Sequence, residues 1–272
     1  MQSSQSKHDG SYRGLMTVFV GTSGWHYQHW RPRFYPAKMG PSKWLGFYCE
    51  RFATVELNNA FYRLPELSSF QRWHDGTPSD FVFALKASRY LTHVRRLRDP
   101  AQPVDTLMER AIGLKSRLGP VLLQLPPNLK ADPSALDETL AAFHDRARVA
   151  VELRHNSWFT DEVRAVLESH NAALCLVDGG AVDVPRWKTT NWSYVRFHAG
   201  KGKPAPCYTR SALDTWAKEL ASKWRRSEDV FCYFNNDPNG CAIRDARWLA
   251  QAFARHGRSA TRVPGPGEIR VG

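Results

Sequence analysis

Eight short apolar runs, each rich in β-branched or aromatic residues, alternate with helical segments along this 272-residue chain. The runs are apolar on both faces, as a sheet covered on both sides requires, and nearly all end in polar or charged residues. These observations predict an α/β fold: one (β/α)8 barrel of the TIM type, a single domain with its sixth helix weak or missing. An open doubly wound sheet is the competing arrangement. It would bring a Gly-rich phosphate loop after the first strand, and GTSGWHYQHW (21–30) is not GxGxxG.

The first strand is TVFVGTS (17–23). A helix follows over 42–52, where Ser42 caps after Pro41. The second strand is ATVELN (53–58), followed by a helix over 67–76. The third is FVFALK (81–86), followed by VDTLMERAIGLKSRLG (104–119), with apolar residues at helical spacing and Gly119 as its stop. The fourth is PVLLQL (120–125); the helix over 132–147 opens with Asp132 as cap and Pro133 at its first position. The fifth is VAVELR (149–154), followed by a helix over 160–172 with Thr160 as cap and acids in its first turn. The sixth is ALCLVD (173–178); the connection 179–192 has at most one helical turn. The seventh and eighth are SYVRFH (193–198) and VFCYFNN (230–236), with helices over 211–224 and 241–257. The barrel thus spans 16–256, between a polar N-terminal extension (1–15), read as disordered, and a basic Gly- and Pro-containing tail (257–272), read as loose.

Composition narrows the class. A 42% hydrophobic content is enough for one large core, and no apolar run approaches the roughly 18 residues that span a bilayer. The polar N-terminus lacks signal-peptide order, so a cytoplasmic protein with no membrane partner is expected. The five cysteines are odd in number and have no CxxC spacing, so reduced, mostly buried thiols are expected rather than a disulfide framework or zinc knuckle. The net charge of +12 is scattered, with no Lys/Arg run of the length a nucleic-acid patch uses.

The functional signal is the polar end of the strands, where barrels of this type carry their chemistry. The second strand brings Glu56 and Asn58, the third Lys86, the fourth Gln124, and the fifth Glu152 and Arg154. The sixth brings Asp178, the seventh Arg196 and His198, and the eighth Asn235, Asn236 and Asp237. Residues two apart share a strand face, so Glu56 with Asn58, Glu152 with Arg154, and Arg196 with His198 point together. His155 has the opposite parity and serves its loop. Buried ion pairs can also tie a barrel together, but that much buried charge costs several kcal/mol per unpaired ion. A ring that binds something is the simpler reading. Aromatics follow the strands: Trp25, Tyr27, Trp30, Phe61, Tyr62, Tyr90, Trp158 and Trp187. Such rings suit stacking on a sugar or base.

The segments GTSGWHYQHWRPRFYP, TVELNNAFYRLP, ALKASRYLTH, LGPVLLQLPP, VAVELRHNSWF, YVRFHAG and YFNNDPNGCA occur in that order. Together they resemble the domain-of-unknown-function 72 family, the YecE-like proteins, from about Met16 to about Phe253. The resemblance implies a TIM-type barrel and supplies no function. It also makes the motif positions, His93 and His155 among them, worth carrying as site candidates. Ala199 departs from the Gly expected after the strand-seven His.

Three chemistries fit. The favoured one is an enzyme with acid–base chemistry by Glu56, Glu152, His198 and Lys86. Its substrate would be held by Trp25, Asn58, Tyr62, Gln124, Arg154, Trp158, Asp178, Arg196, Asn235, Asn236 and Asp237. Lys86, Arg154 and Arg196 would clamp a small anionic, sugar-like or nucleotide-like ligand, with no cofactor expected. Isomerase, lyase and hydrolase all remain open. The second is a metal-dependent sugar- or nucleic-acid-processing barrel, with Glu56, Glu152, Asp178, His198 and Asp237 as donors to a divalent ion. The third is a non-catalytic nucleic-acid or ligand-binding barrel, with nucleic acid the less favoured partner. Under the first, Glu152→Gln is expected to abolish binding with little loss of melting temperature.

Overall fold

A computed structural model describes residues 17–271, so the proposed extension 1–15 lies outside the described residues. The eight strands are β1 (Val18–Ser23), β2 (Thr54–Leu57), β3 (Val82–Lys86), β4 (Leu118–Gln124), β5 (Val149–Glu152), β6 (Ala173–Asp178), β7 (Ser193–Phe197) and β8 (Val230–Phe234). They close into a parallel barrel in sequence order, with β8 returning to β1. The helices are α1 (Trp44–Arg51), α2 (Asn59–Tyr62), α3 (Leu67–Asp75), α4 (Ala101–Ala111), α5 (Pro133–Ala141), α6 (Asp161–Ser169), α7 (Arg210–Lys223) and α8 (Cys241–Arg255). No helix joins β6 to β7. That connection is irregular and returns at Gly179, where φ is +73° and a Cβ would stand 2.6 Å from the Ala199 carbonyl oxygen.

Local chemistry explains most of the boundaries. Asp132 accepts from Ala135 N at 3.0 Å, and Thr160 accepts from Val163 N at 3.3 Å, each capping its helix. Gly119 is not a helix stop: α4 gives way to 3-10 turns through Arg117, and Gly119 lies inside β4. A Cβ there would come within 2.6 Å of Val82 Cγ1, so glycine serves close strand approach.

Strand parity builds two cores. One large cluster fills the space between barrel and helices. A second contains Phe19, Val82, Ala84, Leu122, Ala150, Ala173, Cys175, Tyr194, Phe231 and Tyr233. These are alternate strand positions, as barrel interiors require. Two residues further along the same faces stand Lys86, Gln124, Glu152 and Arg196, with Glu56 two beyond Thr54, whose hydroxyl meets Tyr233 at 2.7 Å. An apolar plug therefore carries a polar layer on its C-terminal side.

Two further expectations are overturned. Cys207 and Cys241 form a disulfide that joins the segment after β7 to the first residue of α8. Their spacing of 34 residues gives no sequence signal, and they meet because β7 and β8 are neighbours. Cys49, Cys175 and Cys232 are buried free thiols, as expected. The tail is not loose. Ala260 bridges to Val18, Thr261 N donates to Val18 O at 2.8 Å, Arg258 is buried, and Arg262 donates to Cys49 O and pairs with Asp80. Among the described residues no helix is long and apolar enough to cross a membrane.

Candidate active site

Arg196 stands at the centre of the polar layer. Its Nη1 is 2.7 Å from Glu152 Oε2 and its Nη2 is 2.8 Å from Glu56 Oε1, and all three side chains are at most 1% exposed. Ser23 and Tyr194 complete the Glu56 carboxylate: Ser23 Oγ donates to Oε1 at 2.5 Å and Tyr194 OH donates to Oε2 at 2.7 Å. Glu152 Oε1 accepts from Gln124 Nε2 at 2.9 Å and from Arg154 Nε at 2.6 Å. Burial pushes both carboxyls up, but the Arg196 charge and these hydrogen bonds outweigh it. Glu56 is left below the ordinary carboxylate range and Glu152 well below it. Burial likewise opposes the Arg196 charge, and the two carboxylates overcome it and hold the guanidinium protonated.

Lys86 differs from its neighbours. It is 9% exposed, and its ammonium makes no hydrogen bond or ion pair among the described residues. Its one close partner is the face of Phe61, 4.1 Å from Nζ. Burial, reinforced by the Arg196 charge, pushes its pKa down to about 8. His93 packs edge-on against the same Phe61 ring, with centroids 5.1 Å apart, and burial beside Lys86 lowers its pKa too. Tyr62, 81% exposed, flanks Phe61 on the rim. Across the barrel, His198 Nε2 stands 3.7 Å from Glu152 Oε1, outside hydrogen-bond range, while Asn235 Nδ2 meets its Nδ1 at 3.1 Å. Among the described residues four buried polar atoms at this end have no hydrogen-bond partner: Asn58 Oδ1, Arg196 Nε, His198 Nε2 and Asn236 Oδ1.

Several anticipated residues lie elsewhere. Trp158 is fully buried and donates from its indole to Leu129 O at 2.7 Å, which pins a loop. Asn236 has the outward parity and donates to Asp245 and to Pro206 O. Asp237 pairs with His29 at 3.1 Å, and Trp25 is buried edge-on against Trp73. Asp178 also has the outward parity; its carbonyl accepts from His198 N. His155 Nδ1 meets Ser157 within its own loop, as its parity indicates. The donors of the metal reading are therefore scattered. Among the described residues no group of three or more His, Cys, Asp or Glu side chains could hold a metal ion. Sequence reasoning missed Ser23 and Tyr194. Both share the parity of the ring, and that parity is the signal that could have found them; Phe61, anticipated as a stacking ring, lies instead against the Lys86 ammonium.

The barrel has known counterparts. UPF0759 protein YunF of Bacillus subtilis is 24% identical over 267 residues, covering 86% of this chain and 94% of its own. The crystal structure of a DUF72 family protein from Thermotoga maritima superposes with a TM-score of 0.76 at 28% identity, covering 88% of this chain and 99% of that one. One from Enterococcus faecalis gives a TM-score of 0.75 at 17% identity over 92% of this chain and 98% of that one, a likeness of fold. The family pattern of the protein of unknown function DUF72 runs across residues 19–268, from the first barrel strand into the packed tail, and the chain belongs to that family.

Proposed function

We propose that this protein is an enzyme that binds a small organic anion at the C-terminal mouth of its barrel and moves a proton on it. One observation carries this reading: Lys86 is a buried cation that forms no ion pair among the described residues. The polar layer sets three cations (Lys86, Arg154, Arg196) against two carboxylates (Glu56, Glu152), and both carboxylates are already engaged by Arg196. A phosphate or carboxylate supplies the missing charge. Arg154, 35% exposed, gives the anion a second contact with a guanidinium whose Nε is fixed on Glu152.

His198 is the proton carrier. With Asn235 Nδ2 as donor, Nδ1 accepts, which leaves the proton of the neutral ring on Nε2, beside Glu152. Glu56 and Glu152 act through Arg196 as positioning residues. The exposed Tyr62 ring offers a face to a sugar-like or base-like portion of the substrate. Calorimetric titration with inorganic phosphate and small carboxylates tests the reading. Affinity is expected to fall as pH rises through about 8, where Lys86 loses its proton. Binding that does not change across that range would contradict it.

A further inference from the structure

Lys86 ends β3 with its amine inside the mouth, and its position favours a second role. The amine is buried against the Phe61 face, and among the described residues it has neither hydrogen bond nor ion pair to hold its proton. The charged and titratable groups whose fields or rings reach this corner come from every side: Glu56 on β2, His93 after β3, Glu152 and Arg154 at and after β5, and Arg196 on β7. Arg196 and Arg154 already engage both glutamates, so neither carboxylate is left to pair with the amine. Resting on the anion-binding reading above, we infer that Lys86 is a nucleophile for carbonyl substrates and that the substrate class is a small 2-oxo acid, held by its carboxylate on Arg154.

A buried amine set on an aromatic face without an ion pair carries a neutral fraction near neutral pH, the usual way a lysine becomes reactive towards carbonyls. Its depressed pKa, about 8, agrees. The step balances without any redox partner. The neutral amine nitrogen forms a bond to the carbonyl carbon, the carbonyl π pair moves to oxygen, and that oxygen takes up a proton that the nitrogen releases, which gives a neutral carbinolamine. A second proton then lets that oxygen leave as water, and nitrogen and carbon are left doubly bonded as a protonated imine. His198, with its Nε2 unpartnered, is the group placed to deliver a proton. The imine withdraws electrons from the adjacent carbon, which makes it the site of proton loss or carbon–carbon bond breakage.

The test uses the full-length chain, sodium glyoxylate as the probe and cyanoborohydride to reduce any imine to a stable amine. Peptide mass mapping then locates the added carboxymethyl group. The inference predicts that Lys86 is labelled at least about tenfold faster than the surface lysines, that inorganic phosphate protects it, and that labelling speeds up between pH 7 and 9. Lys86→Arg removes the nucleophile, so in the folded variant the fast label should disappear. Labelling of Lys86 at the rate of surface lysines, with phosphate binding intact, overturns the imine and leaves the anion site standing. Loss of both phosphate binding and selective labelling in the folded wild-type protein overturns the anion site as well.

Discussion

A lysine ammonium buried beside other cations opposes folding at every pH where it keeps its proton. The ordinary Lys pKa is 10.5 and that of Lys86 is about 8, a difference worth on the order of 3 kcal/mol. The sign follows from proton counting. Below about pH 8 folded and unfolded chains are both protonated and the cost is present in full. Between about 8 and 10.5 the unfolded chain holds the proton that the folded chain has released, so stability rises with pH; above that range the cost is gone. Lys86→Met is therefore expected to raise unfolding free energy at pH 7 by up to that amount, with the gain shrinking to nothing by about pH 10.5. Denaturant titrations across that range check it. Glu152 behaves in the opposite way. Sequence parity placed it correctly beside Arg154, and from that placement Glu152→Gln looked harmless to stability. The structure reverses this, because the lost charge leaves Arg196, at 1% exposure, with one carboxylate instead of two. A loss of roughly 3–5 kcal/mol is expected by urea unfolding. A loss below about 1 kcal/mol would show that the pair is not the main tie. What parity cannot reveal is which charges pair. That depends on Arg196 reaching from β7 to β2 and β5, which are far apart in the chain.

At the scale of elements, the alternation of short apolar runs with capped helices made the barrel legible, and the strands lie within about two residues of where pattern alone sets them. Short elements were not legible. The single turn of α2 and the π-helical turn Tyr90–Val94 are too brief to show periodicity, yet they set Phe61 against Lys86 and His93 edge-on against Phe61. The Cys207–Cys241 bond was equally silent. It clamps the segment leaving β7 to the start of α8, where Asp245 Oδ2 accepts from Tyr208 N and Asn236 Nδ2, both at 2.8 Å. Closing a loop of this length is worth about 3–4 kcal/mol in the unfolded chain. Reduction, or replacement of both cysteines by serine, is expected to lower unfolding free energy by about 2–4 kcal/mol. Denaturation with and without dithiothreitol measures it, and coincident curves would contradict the role given to the bond.

At the scale of the molecule, closing eight parallel strands in sequence order makes a set of dispersed residues into a site. Glu56, Lys86, Gln124, Glu152 and Arg196 come from five strands, and the shared inward parity of those strands gathers them on one layer. The net charge of +12 is scattered along the chain, and the proposed site rests instead on Lys86, which forms no ion pair among the described residues. The most direct measurement is a calorimetric phosphate titration at pH 7 of the wild-type chain and of Lys86→Met, each shown folded by its melting curve. The account predicts saturable one-to-one binding to the wild type and at least about a tenfold loss in the variant, the effect of one charge-assisted contact of roughly 1.5–3 kcal/mol. Equal affinity in the two proteins, or no binding to either, would contradict it.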